Sequence, residues 1–353
     1  MTDIYIKSLT YYLPEDKLSN QDLLNIFGKE NAHFDNETRE ELVYNYGRKF
    51  DFLGIKSRSF CRGNKDNNIL TMAIAAADQA IKKANLSDTE INSIIVSGVT
   101  NPYREPAFST ILARQLGIET CDYFDINDTC NGFMKSIEIA GLYLQVKNYR
   151  NILLVTSESP YEIARSHGMS FKINDPEEAD NKLSGFIVGS GSAAMVLSRE
   201  KTRKKILFYQ ELKKSNNWQA SVLTLPGIPV DTENKKMNGF WSDARLISSS
   251  IIREMPEFII NILAEWDLKI SDINAFILHQ LGNNVTFATL EKLGVSHDKA
   301  PVNTFNDCGN MATANIPVNL AMADEKGLIK NGDKIILLSS ACGFTYSIAC
   351  LEW

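Results

Sequence analysis

The sequence predicts an α/β protein of two similar halves, in which strands running mostly parallel are covered by helices on both faces. Three observations predict it. Short apolar, β-branched runs alternate with segments of helical period along most of the chain. One strand-and-turn pattern recurs after a long interval. At 353 residues the chain is also long for a single core.

In chain order, buried strands are expected at Ile94–Val99, Tyr123–Ile126, Ile152–Thr156 and Ala193–Leu197, then at Ala275–Leu278, Lys334–Leu338 and Ser347–Leu351. Helical periodicity marks Leu70–Ala84, Ala107–Leu116, Gly132–Val146, Asp243–Trp266, Asn284–Lys292 and Ile316–Lys326. Strands that alternate with helices build a parallel sheet with both faces covered. Ser87–Val96 is echoed by Ser271–Leu278, with Ile91 falling on Ile273. Asn151–Val155 falls on Lys334–Leu338 at almost the same displacement, which points to duplication. The halves are therefore drawn as residues 1–200 and 201–353. Residues 157–188, with Pro160, His167 and the acidic run Asp175–Asp180, and residues 204–240 lack this pattern. Both are expected as loops that roof or rim a site.

Composition excludes several classes. A hydrophobic fraction of 44% and a charged fraction of 23% are those of a globular protein. A net charge of −6 argues against a general nucleic-acid binder. No apolar run approaches the ~18 residues of a membrane span, and Met1–Tyr5 lacks the basic start of a signal peptide. A cytoplasmic location is expected. The six cysteines form no Cys-x-x-Cys pair and the four histidines are scattered, so neither a disulfide framework nor a metal site is expected.

Four segments could carry chemistry. Phe124-Asp125-Ile126-Asn127-Asp128-Thr129-Cys130-Asn131-Gly132 ends a strand, turns, and sets Cys130 at a helix start. Free N–H groups and the helix dipole there favour a thiolate, although most lone cysteines are small buried hydrophobes. His279 closes the strand Ala275–Leu278, where open α/β sheets form their ligand crevice; a hydrogen-bonded core histidine fits as well. Asn310 lies in the Gly309-Asn310 turn before a helix, a common arrangement with no necessary function. Ser339–Thr345 puts small residues after the last long strand.

In order and context, these four segments resemble the β-ketoacyl-acyl carrier protein synthase III family of thiolase-fold enzymes, almost from end to end. Tyr12-Leu13-Pro14, Gly54-Ile55-Lys56-Ser57-Arg58, Gly189–Ala194 and Gly343-Phe344-Thr345-Tyr346 share the likeness. The resemblance implies two βαβαβαββ halves stacked as five αβαβα layers. It implies Cys130 as nucleophile, His279 and Asn310 as the pair that stabilises an enolate, and the N–H groups of Cys130 and Cys342 as the oxyanion hole. Gly282, Gly343, Phe344 and Arg58 are expected beside the substrate. Substrates would be coenzyme A or acyl carrier protein thioesters, no cofactor would be needed, and the assembly would be a homodimer.

The same comparison exposes departures. Gly282 stands where the family commonly has an amide side chain, and Tyr44–Leu53 lacks the tryptophan that stacks on coenzyme A. Glu105, before Pro106, stands where fatty-acid initiators place an apolar residue. That Glu-Pro and the run His279-Gln280-Leu281-Gly282 resemble the head-to-head condensing enzymes of bacterial olefin biosynthesis. There, Glu105 would reach a neighbour's site as general base; an exposed surface glutamate is the plainer alternative. Arg48, Lys49, Lys56, Arg58 and Arg62 could meet phosphates or an acidic carrier, Arg58 foremost. The expected function is carbon–carbon condensation of acyl thioesters in a specialised lipid or polyketide route. Acyl transfer to an alcohol or amine, or a silent pocket-shaping subunit, are the alternatives.

Overall fold

The computed structural model describes residues 3–161, 171–224, 230–231, 236–237 and 240–353. Nine strands form the main sheet: β1 (Ile4–Tyr12), β2 (Ser93–Ser97), β3 (Asp122–Ile126), β4 (Asn151–Glu158), β5 (Gly191–Ser198), β6 (Lys205–Lys213), β7 (Ala275–Leu278), β8 (Lys334–Ala341) and β9 (Thr345–Glu352). Their order is β7-β8-β9-β6-β1-β5-β4-β2-β3. Reading outward from the central β6–β1 pair gives the same plan twice: an antiparallel neighbour, then the parallel strands.

The sheet is thus mixed, which corrects the expectation of a parallel one. Parallel pairing holds for β2 with β3 and β4, and for β7 with β8. The turn between β8 and β9 spans only residues 342–344, too short for a crossover, so these strands must run antiparallel. Two strands lie outside the sequence pattern. β1 buries Ser8 and Thr10, whose hydroxyls donate to Ala80 O and Ala76 O at 2.7 Å, and such polar residues mask a buried strand. β6 opens residues 204–240, expected as a loop, and its charged residues, the half-buried Lys205 and Glu211 and the exposed Lys213, hide it.

Side-chain alternation places the layers. In β2 and β4, Ile94, Val96, Leu153 and Val155 face the helices Ile69–Lys83 and Phe108–Gln115, while Ile95, Ile152 and Leu154 face the opposite way. In β7 and β8, Phe276, Leu278, Ile336 and Leu338 face the helices Ala244–Glu265 and Asn283–Lys292. Their alternates, Ala275, Ile277, Ile335 and Leu337, join Ile95, Ile152 and Leu154 in one cluster. That shared cluster also takes Phe133, Ile137 and Leu144 from the helix Gly132–Val146, and Ile316 and Leu320 from Asn315–Glu325. Helices thus lie outside each half-sheet and between them, five layers in all. Burying each large apolar side chain contributes roughly 1.5–3 kcal/mol, so the middle layer ties the halves into one unit.

Two further helices, Asn20–Glu30 and Asn36–Leu53, precede the first helix that periodicity marks. Ser19 and Asp35 cap them, and Leu23, Phe27, Leu42, Tyr46 and Phe50 bury one face of each. Of residues 157–188, Ser157 and Glu158 extend β4 and Ala179–Phe186 is a helix; His167 lies outside the described residues. Among the described residues, no helix is long and apolar enough to cross a membrane.

Candidate active site

Cys130 sits in the short loop between β3 and the helix Gly132–Val146. Thr129 before it adopts φ +48°, a left-handed conformation that turns the chain abruptly. Asn131 N donates to Asp128 O at 3.0 Å and Gly132 N to Thr129 O at 3.1 Å, which closes the turn. Gly132 fits closely here: a Cβ would lie 3.1 Å from Ser97 Cβ and 3.2 Å from Thr313 Cγ2, tight enough that these neighbours would have to shift. Cys130 is half-buried, and the helix start is not the only influence on its acidity. Burial pushes the Cys130 thiol up, Cys342 and Glu158 push it the same way, and its backbone N–H only partly counters them.

His279 follows β7 directly, and its N–H donates to Leu338 O of β8 at 2.8 Å. The residue is 6% exposed, and neither ring nitrogen has a partner among the described residues. Burial lowers its pKa to about 4, so the imidazole is neutral at physiological pH. A small cavity lined by Met255, Val285, Thr286, Thr289 and Ser340 adjoins the ring.

Asn310 follows Gly309, whose φ of +76° shapes the turn. Asn310 N donates to Ile187 O at 2.7 Å and Asn310 O accepts from Gly189 N at 2.9 Å, a strand-like grip. Its side-chain Oδ1 accepts from Ala312 N at 2.8 Å. That bond orients the amide and so fixes the direction of Nδ2 as its donor.

Three hydrogen bonds and one polar contact join these segments in a closed ring. Ser339 Oγ of β8 donates to Cys130 O at 3.4 Å, and His279 N is bonded to the adjacent Leu338 O at 2.8 Å. Gln280 N donates to Asn315 Oδ1 at 2.6 Å, tying the His279 segment to the Asn310 turn. Thr313 Oγ1 meets Thr129 O at 3.4 Å, returning to the cysteine loop. The segments that carry the three expected chemical residues, distant in sequence, are thereby joined to one another.

The other expected residues divide. Cys342 lies in the β8–β9 turn, where its charge acts on Cys130 and its thiol bonds to Ser221. Gly343 beside it has φ +146°, a glycine conformation, although a Cβ there would meet nothing nearer than Thr345 N at 3.8 Å. Phe344, expected beside the substrate, is 1% exposed and packs in the second-half core against Tyr346. Gly282 is a packing glycine: a Cβ would lie 2.9 Å from Leu53 Cδ2. Arg58 is corrected most. It is 2% exposed, donates through Nε to Phe186 O at 2.6 Å, bonds Asn20 Oδ1, and stacks on Phe50. Its guanidinium braces the interior instead of meeting a phosphate on the surface. Arg62 is paired with Asp16 and Lys49 with Asp180.

Glu105 is exposed, on a loop fixed from both sides. Asp125 of β3 accepts from Asn101 Nδ2 at 2.8 Å, Phe108 N at 2.7 Å and Ser109 N at 2.9 Å. A cavity of about 380 Å³, lined by Gly98, Tyr103, Arg104, Tyr123, Asp125 and Asn127, adjoins the loop at the β3 edge of the sheet. Glu105 does not join the ring of bonds around Cys130 within one chain.

Sequence reasoning missed the residues that fasten the ring. Gln280, 2% exposed, donates to Val302 O at 2.9 Å and accepts from Thr304 N at 3.1 Å and Phe305 N at 3.2 Å. Glu158 has no exposed surface and bonds Val99, Thr100 and Thr313. A carboxylate closely following the apolar run Ile152–Val155 was the available signal.

Comparison with known proteins supplies a family and a fold. Residues 124–214 match the 3-oxoacyl-[acyl-carrier-protein] synthase III family, and residues 263–353 match its C-terminal part. A β-ketoacyl-[acyl-carrier-protein] synthase III of Clostridium tetani is 26% identical, covering 99% of this chain and 98% of its own. One from Staphylococcus haemolyticus is 27% identical over 92% and 94%. In fold, the chain is similar to Xanthomonas campestris OleA, with TM-score 0.85 at 22% identity, covering 100% and 98% of the two chains. Another OleA structure, similar at TM-score 0.85 and 22% identity over 99% of each chain, carries bound lauric acid and lauroyl-CoA. The 3-oxoacyl-[acyl-carrier-protein] synthase III of Aquifex aeolicus has TM-score 0.78 at 24% identity, covering 99% and 100%.

Proposed function

We propose that this chain, which belongs to the 3-oxoacyl-[acyl-carrier-protein] synthase III family of condensing enzymes, joins two acyl thioesters through an acyl intermediate on Cys130. The single observation that carries the reading is the ring of polar contacts that joins the segments of Cys130, His279 and Asn310.

In the first half-reaction the Cys130 sulfur attacks a thioester carbonyl, and the carrier thiol departs with a proton. Burial holds His279 neutral, and in this reading the imidazole takes that proton as the thioester is attacked and returns it to the leaving sulfur. The N–H groups of Cys130 and Cys342 are the proposed donors to the oxyanion. In the second half-reaction a donor thioester becomes an enolate. A neutral imidazole N–H and Asn310 Nδ2 are the proposed donors to its oxygen, the latter oriented by the bond from Ala312 N to Oδ1. The enolate carbon attacks the acyl carbon, the carbon–sulfur bond breaks, and Cys130 is released.

The enolate forms either by loss of carbon dioxide from a malonyl thioester or by removal of an α-proton. The exposed, braced position of Glu105 supports the second route in a homodimer, with Glu105 of one copy reaching the site of the other. The β3 edge, with Tyr123 41% exposed, offers the pairing surface. Coenzyme A or acyl carrier protein would carry the acyl groups, in a specialised lipid or polyketide route.

Intact-protein mass spectrometry after incubation with C2 to C16 acyl-coenzyme A tests the reading. A mass gain mapped to Cys130 and lost in Cys130→Ala is expected, and labelling that persists in the variant would refute the nucleophile. Glu105→Gln is expected to lose condensation of unactivated donors while keeping turnover with a malonyl thioester. Unchanged turnover of unactivated donors would return Glu105 to an ordinary surface residue.

A further inference from the structure

Glu158 ends β4 with no exposed surface, yet its carboxyl gathers five hydrogen bonds from two segments remote from it in sequence. Val99 N and Thr100 N donate at 2.9 and 3.0 Å, and Thr100 Oγ1 at 2.5 Å, all from the chain following β2. Thr313 N donates at 3.3 Å, and Thr313 Oγ1 makes a short contact with the same oxygen, both from the turn that carries Asn310. Thr313 Oγ1 also meets Thr129 O at 3.4 Å. The single Thr313 hydroxyl proton goes to Glu158, so the carboxyl braces the Asn310 turn directly and holds Thr313 in contact with the Cys130 loop.

We propose that Glu158 is a positioning residue for the condensation: it fixes the Asn310 turn against the chain following β2 and holds Thr313 in contact with the Cys130 loop. The inference rests on the function proposed above, in which Asn310 is a donor to the enolate. Both turns also need support. Thr129 has φ +48° and Ala312 φ +45°, conformations unfavourable for residues with a Cβ, which persist only where neighbours hold them. Glu158 fastens the Ala312 turn, and Thr313 rests that turn against the Thr129 one.

Charge gives the role a separate signature. The titratable groups that act on Cys130 are Cys342, from the β8–β9 turn, and Glu158, and both oppose its ionisation. Among the described residues no cation acts on Glu158; burial raises its pKa against the hydrogen bonds from Thr100, Thr313 and Val99 that lower it. Removing its charge should therefore ease thiolate formation, while loosening the turns should slow condensation. A merely structural glutamate would not separate the two readouts.

The test compares Glu158→Gln, Glu158→Asp and Thr313→Val with the native enzyme. Iodoacetamide alkylation of Cys130, read by mass across pH, is followed beside acyl loading and condensation. In Glu158→Gln the alkylation midpoint should fall by about one pH unit, while kcat for condensation falls roughly 10- to 100-fold with KM little changed. Glu158→Asp keeps the charge but not the reach, so its midpoint should stay and its kcat fall. Thr313→Val keeps its packing and Glu158, and should also slow condensation with an unmoved midpoint. Native kcat in folded Glu158→Gln and Thr313→Val overturns the inference. Where Glu158→Gln fails to fold, Thr313→Val decides alone in the same way. If native enzyme gains no acyl label at Cys130, the function reading fails and takes this inference with it.

Discussion

Two buried ionisable side chains stand at strand ends in the two halves, and their surroundings are opposite. Glu158 ends β4 and receives five hydrogen bonds. His279 follows β7 and its ring receives none among the described residues. Extending the sequence echo between the halves lays Ser97 on His279 and Glu158 on Ala341. Each half thus carries its ionisable group where the other has a small side chain. A buried polar group whose capacity is spent is a brace; one left unpartnered is available to substrate. Leaving an imidazole buried without partners costs stability, and a site that needs a neutral donor and base is one reason to retain it.

Asn310 offers the largest break of that contrast, because its amide is half brace and half donor. Asn310→Ala should load acyl groups normally and condense roughly 100-fold more slowly, about 3 kcal/mol of transition-state stabilisation. Single-turnover kinetics that show native condensation would remove Asn310 from the reacting group. Glu158→Ala tests the brace from the side of stability. It strands three backbone N–H groups and two hydroxyls, and should lower urea-measured stability by about 3 kcal/mol. A loss near zero would mean that the five bonds carry no net weight.

The smallest expected effect is on pH dependence. His279 has its pKa lowered to about 4, below that of a free histidine, so the unfolded chain binds the proton first as pH falls from about 6.5. Stability is therefore lost on acidification through that window, by about 2 kcal/mol between pH 6.5 and 5. His279→Asn should flatten this part of the profile. An unaltered slope would show that the ring is not held neutral by the fold.

How much of this is legible in the sequence depends on how each residue is buried. Six helices have both bounds within one residue of those that periodicity marks, because each presents an apolar face to the sheet. Strands with uninterrupted apolar runs, such as Asn151–Glu158 and Lys334–Ala341, are equally plain. β1 and β6 are not, since their polar residues are satisfied by contacts distant in sequence. Cys130, His279 and Asn310 stand out through family likeness, and the fold brings their segments together. The roles of Glu158 and Gln280 lie in hydrogen bonds across the fold, invisible in a linear chain. Arg58, Phe344 and Gly282 carry the family pattern but prove to be interior packing, because a motif does not reveal which side of a loop faces inward.

The central claim is that His279 is a reagent, not a brace. Native enzyme and His279→Ala should be loaded with the same acyl group on Cys130, given a malonyl thioester, and followed by the mass of the acyl-enzyme. The account predicts prompt discharge of the native acyl-enzyme and a label that persists in the variant for at least about 100-fold longer. Discharge into condensed product at the native rate would contradict it.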